Sequence, residues 1–169
     1  MKGQVTLLAS SLWLLYYTVL FVSFGVISLY DRMHTYIPIA YLILYCVLTL
    51  IMLVMRYIDD STSSVLLAPV VVSLPFIIMW LVTKGRGLGF GDVVLFLGVG
   101  AFFGIEQGFA VLLLSVWMGA LVGIYMYLVA RKKNTIGKTA LPFVPFILLA
   151  FLLVLFTDIN IFSIANLFA

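Results

Sequence analysis

Ser64-Val-Leu-Leu-Ala-Pro-Val-Val-Val-Ser-Leu-Pro-Phe-Ile-Ile-Met-Trp-Leu-Val-Thr83 runs for twenty residues without a charged side chain. Coiled as an α-helix, such a run rises about 30 Å, which is the thickness of a bilayer's hydrocarbon core. Working outward, the same pattern recurs at 5–30, 37–55, 92–104, 108–130 and 141–157, giving six candidate spans separated by short charged breaks. Residues 92–104 are the exception, because thirteen residues rise only about 20 Å and need tilt or bilayer thinning to cross. Backbone amides in lipid must find partners within their own segment, so the spans are expected to be helices. The expected fold is therefore an all-α integral membrane bundle of about six transmembrane helices with one short fourth span.

Composition agrees. The 169 residues are 66% hydrophobic and 9% charged, with mean hydropathy +1.32, against roughly 45–50% apolar residues in soluble domains. Six crossings use up this length, so a single membrane-embedded domain is expected over residues 1–169. The net charge of +3 comes from nine Lys and Arg in short loops. That arrangement sets topology and does not form a phosphate-tracking patch, so no nucleic-acid partner is expected. Cys46 is the single cysteine, which excludes a disulfide framework or a Cys-based metal site. The apolar run to Tyr30 exceeds the roughly 7–15 residues of a signal-peptide core, and it reads as a retained span.

With the N-terminus outside, one face receives Arg32, Lys84, Arg86, Arg131, Lys132, Lys133 and Lys138, and the other receives Lys2 and Arg56. The positive-inside rule assigns the richer face to the cytoplasm. Gly100 with Gly104 and Gly119 with Gly123 form small-xxx-small pairs that suit close helix packing. Pro69 and Pro75 are expected to kink the third span, and Pro38 to open the second. Lys84, Arg86 and the run Arg131-Lys132-Lys133 read as interfacial anchors. Asp59 and Asp60 read as a solvated outer loop. His34 reads as a solvated loop histidine with no metal-ligand partner.

The same topology puts Asp31 and Asp92 on the cytoplasmic edge, each adjoining apolar helix. An ionisable group at membrane depth is costly and points to function. Two carboxylates brought together share a proton, so one can activate water while the other protonates a leaving group. Taken singly, Asp92 could instead cap its helix and Asp31 could be an ordinary helix-end residue. Glycine occupies every second position in Gly85-Arg-Gly-Leu-Gly-Phe-Gly-Asp92, which suits a loop that admits a peptide backbone beside Asp92.

Gly89-Phe-Gly-Asp92, continued as Val-Val-Leu-Phe-Leu-Gly-Val-Gly-Ala-Phe-Phe-Gly104, resembles the GxGD signature and following helix of the prepilin peptidases. Asp31-Arg-Met-His-Thr-Tyr-Ile-Pro38 resembles that family's first aspartate and the Ile-Pro after it. Leu141-Pro-Phe-Val-Pro-Phe146 resembles its late Pro-Phe-x-Pro segment. The resemblance implies that Asp31 and Asp92 are the catalytic aspartates, with Gly89, Phe90 and Gly91 shaping the substrate loop. It implies a membrane aspartic endopeptidase of a prokaryotic cell membrane, needing no cofactor or metal, that removes the short basic leader of pilin-like or archaellin-like preproteins at the cytoplasmic face. Longer members carry paired Cys-x-x-Cys motifs and a second, N-methylating activity. Those cysteines are missing here, so peptidase activity alone is expected. Many members also have lysine where this chain has Val94. Two other readings use the same aspartates: a presenilin- or signal-peptide-peptidase-like protease cutting inside the bilayer, and a small proton- or ion-coupled transporter, for which the internal repeats of many carriers are not visible.

Overall fold

The computed structural model describes residues 2–34, 37–60, 62–85, 88–132 and 142–157. Of the residues discussed above, Thr35, Tyr36, Arg86, Gly87, Lys133, Lys138 and Leu141 lie outside them. The described chain is all-α: α1 (Lys2–His34), α2 (Ile39–Asp59), α3 (Ser63–Thr83), α4 (Phe90–Lys132) and α5 (Val144–Thr157). Four stretches are long and apolar enough to cross a membrane, Ser10–His34, Ile39–Asp59, Ser63–Thr83 and Phe90–Val129, and α5 is a shorter apolar helix.

The fourth stretch contains the sequence's short span. Its 40 residues rise about 60 Å, twice a hydrocarbon core. The helix breaks at Gly104, whose φ of 82° and ψ of −164° lie outside helical values. The boundary expected near residue 104 is thus real, but its cause differs from the expected packing role of Gly104. The backbone there adopts a conformation open essentially to glycine alone. The Arg56 guanidinium also lies where a β-carbon would stand. Arg56 Nη1 donates to the Phe102 carbonyl at 3.0 Å, tying the end of α2 to the last turn before the break. Gly100 does serve packing: a β-carbon there would come within 2.6 Å of the Ala68 carbonyl oxygen on α3. Gly119 lies close under the Phe143 ring.

α3 runs through both internal prolines from Ser63 to Thr83, and Lys84 caps it in the left-handed region at φ 50°. Pro38 stands at the N-cap of α2, one position before its expected place inside the first turn. α4 is the centre of the bundle, packing against α2, α3 and α5, while α1 packs on α2 and α5. The core is aromatic. Phe151 of α5 meets Phe24, Phe102 and Phe103 at centroid distances of 5.5, 5.0 and 4.7 Å, and Phe76 stacks on Phe96 at 4.2 Å.

Polar groups in this core are satisfied locally, as a lipid-facing bundle requires. Ser23, Thr49 and Ser115 hydroxyls donate to Leu20, Tyr45 and Leu112 carbonyls of their own helices. The fully buried Tyr45 crosses from α2 to α4, donating to the Leu95 carbonyl at 3.1 Å. Gly98 makes room for its ring, occupying the position where any β-carbon would overlap it.

Candidate active site

Asp31 sits in the last turn of α1, half-buried, and Asp92 in the first turn of α4, with only 9% of its surface accessible. Sixty-one positions separate them in sequence, yet the fold brings them near enough for the Asp31 charge to act on the Asp92 carboxyl. Neighbouring carboxylates take up and release protons as a pair.

Each carboxylate has a backbone anchor. α5 begins at Val144, and its first-turn N–H groups have no partner inside the helix. Phe143, which precedes it, supplies the carbonyl for the first helical bond, from Ile147 at 3.3 Å, but has no side-chain acceptor to cap the turn. Asp31 fills that role across the fold. Its Oδ2 accepts the Val144 N–H at 3.0 Å, and the Phe143 N–H also points to it. Pro142 and Pro145 flank this turn, and proline suits a first turn because its missing N–H costs no helical bond. Asp92 is anchored within its own helix start. Its backbone N–H donates to the Gly89 carbonyl at 3.1 Å, and its carboxylate accepts from the Gly89 N–H. Asp92 therefore caps α4, as the simpler reading allowed, and also feels the Asp31 charge.

The motif glycines divide in function. A β-carbon on Gly89 would touch Asp92 Oδ2 at 3.4 Å, an ordinary contact. One on Gly91 would stand 2.5 Å from Ile37 Cδ1. The Ile37 side chain thus lies directly over Gly91, joining the segment after Asp31 to the turn that carries Asp92. Phe90 turns away from the pair. It is 60% exposed and packs on Trp80 with centroids 5.4 Å apart.

Sequence reasoning missed the contributions of Ile37, Phe143 and Val144. The Ile-Pro at 37–38 and the Pro-Phe-Val-Pro at 142–145 were visible, but the spacing carries no sign of what each touches. His34 also differs from expectation. It closes α1 as its last helical residue, stacked on Tyr30 at 5.6 Å, because the helix continues one turn past the apolar run. Among the described residues no three His, Cys, Asp or Glu side chains group as metal ligands.

A profile of the type IV leader peptidase family matches residues 7–124. The prepilin leader peptidase/N-methyltransferase of Pseudomonas putida is 41% identical over 70 residues, covering 41% of this chain and 23% of that protein. The chain therefore aligns with under a quarter of that relative's length. No solved structure matches the chain.

Proposed function

The chain belongs to the type IV leader peptidase family, and from that premise we propose that it is a membrane aspartic endopeptidase that removes the leader of pilin-like preproteins. What supports this reading is that Asp31 and Asp92, at the end of α1 and the start of α4, lie near enough for one charge to act on the other. One carboxylate takes a proton from water as the water oxygen bonds to the scissile carbonyl carbon, and the other gives a proton to the carbonyl oxygen. The resulting gem-diol gives one hydroxyl proton to the second carboxylate while the first, now protonated, gives its proton to the amide nitrogen, and the C–N bond breaks to leave an acid and an amine. This is general acid–base catalysis by a pair whose members exchange roles.

In this reading α4 crosses the membrane on both sides of its break and α5 completes six crossings, with the N-terminus outside. The positively charged end, with Arg32 and Lys84, then faces the cytoplasm of a prokaryotic cell. The substrate is a preprotein with a short basic leader ahead of an apolar helix. Residues 1–169 act as one peptidase domain, with the exposed Gly89 offering the backbone edge along which the scissile segment lies and Gly91 seating Ile37 behind it. Mass-spectrometric mapping of the bond cut by the reconstituted protein tests the reading. A cut between the basic leader and the apolar helix supports it. A cut within the apolar helix replaces it with a presenilin-like intramembrane protease.

A further inference from the structure

The end of the bundle away from the aspartates carries a second polar construction that the proposed chemistry does not use. From Ile39 near the aspartates, α2 rises about 30 Å to its last turn, and α4 rises about 18 Å from Asp92 to its break. Between the end of α2, the start of α3 and the break lies a cavity of about 460 Å³, open to the surface and lined in part by Arg56, Asp60, Ser64, Glu106 and Gln107. The volume falls in the roughly 300–1,000 Å³ range of ligand pockets.

We propose that this cavity binds a zwitterionic amine–phosphate group, supplied by the headgroup of an aminophospholipid. The side chains name the chemistry. Arg56 is held in place, since Nη1 donates to Phe102 and the guanidinium lies against Gly104. A guanidinium has five N–H donors in a planar fork, so donors remain for a phosphate. Asp60 and Glu106 are acceptors suited to an ammonium group, and Ser64 and Gln107 can serve either charge. One cation against two carboxylates leaves the lining at −1, with the Asp60 charge already acting on Arg56, so a simple anion meets net repulsion and a simple cation finds no partner in the guanidinium. A zwitterion answers both.

A lipid is the source because the cavity's rim runs into exposed apolar surface. On α2, Met55, Tyr57 and Ile58 are 44, 40 and 70% exposed, and on α3 Leu66 and Leu67 are 51 and 55% exposed, all within a turn of lining residues. A headgroup in the cavity therefore leaves its acyl chains beside side chains that need an apolar cover.

Native mass spectrometry of the delipidated full chain, titrated in detergent with phosphatidylethanolamine, phosphatidylcholine or phosphatidylglycerol, tests this. One phosphatidylethanolamine is expected to be retained per chain, at least about tenfold more tightly than phosphatidylcholine, whose quaternary nitrogen donates no hydrogen bond, or phosphatidylglycerol, which has no amine. Asp60→Asn and Glu106→Gln alter exposed side chains and are expected to weaken that binding about tenfold each without shifting the unfolding midpoint of the lipid-free protein. Equal retention of the three lipids, or unchanged binding in both variants, overturns the proposal. Binding of soluble O-phosphoethanolamine as tight as that of the lipid overturns the assignment of the source.

Discussion

Replacing Gly104 by alanine attacks the break in α4 through two separable terms. Alanine at φ 82° and ψ −164° is in a region open essentially to glycine, a strain of about 1–3 kcal/mol. The new β-carbon also takes space held by the Arg56 guanidinium. Displacing it forfeits the 3.0 Å bond to the Phe102 carbonyl, and a hydrogen bond from a charged donor contributes about 1.5–3 kcal/mol. Together these give about 2.5–6 kcal/mol, a large part of the roughly 5–15 kcal/mol stability of a folded domain. Reversible unfolding in mixed detergent micelles, followed by circular dichroism, measures it. Gly25→Ala is the control. It sits inside α1 with nothing within 4 Å of its would-be β-carbon, so alanine there should be neutral or stabilise by about 0.5–1 kcal/mol. In an Arg56→Ala background the cost of Gly104→Ala should fall to the backbone strain alone, giving a coupling of about 1.5–3 kcal/mol. A Gly104→Ala protein as stable as Gly25→Ala, or full additivity with Arg56→Ala, would refute the reasoning.

Further outcomes follow from the site and the core. Gly91→Ala places a methyl 2.5 Å from Ile37 Cδ1 and should slow preprotein cleavage; Ile37→Val, which removes that carbon, should restore much of the rate in the double variant. Val144→Pro removes the N–H that Asp31 accepts at a first-turn position that tolerates proline. It should lower kcat roughly tenfold, the equivalent of about 1.4 kcal/mol, with KM little changed; the variant is first shown to keep the native melting curve, and an unchanged kcat would deny the Val144 N–H a part in holding Asp31. Gly98→Ala overlaps the Tyr45 ring and should cost about 1–3 kcal/mol of stability in the same micelle unfolding experiment.

What could be read from the sequence follows the range of each interaction. Long uncharged runs announce membrane helices because lipid imposes one requirement on every residue of a span. Asp31 and Asp92 stand out in the sequence because carboxylates beside apolar helix are rare, and the GxGD motif marks one of them. The anchor of Asp31 depends on which helix end meets a side chain 113 positions away, and periodicity holds no record of that. Arg56 read as a topology signal, since a basic residue at the end of a span looks the same whether it faces water or caps a broken neighbour. Gly104 read as a packing glycine for a similar reason: the small-xxx-small spacing to Gly100 is present, but only the backbone dihedrals reveal that one of the two breaks the helix. Phe90 fell within the motif but faces Trp80, because a residue in a helix's first turn is turned about 100° from its neighbour.

Cleavage of a pilin-like preprotein in detergent by the native protein, Asp31→Asn and Asp92→Asn, each shown to keep the native melting curve, tests the central claim most directly. Asparagine preserves shape and removes the proton chemistry. The two-aspartate mechanism predicts that the native protein cuts and that each substitution lowers the rate roughly a hundred-fold to ten-thousand-fold. Full activity in either folded variant would contradict it.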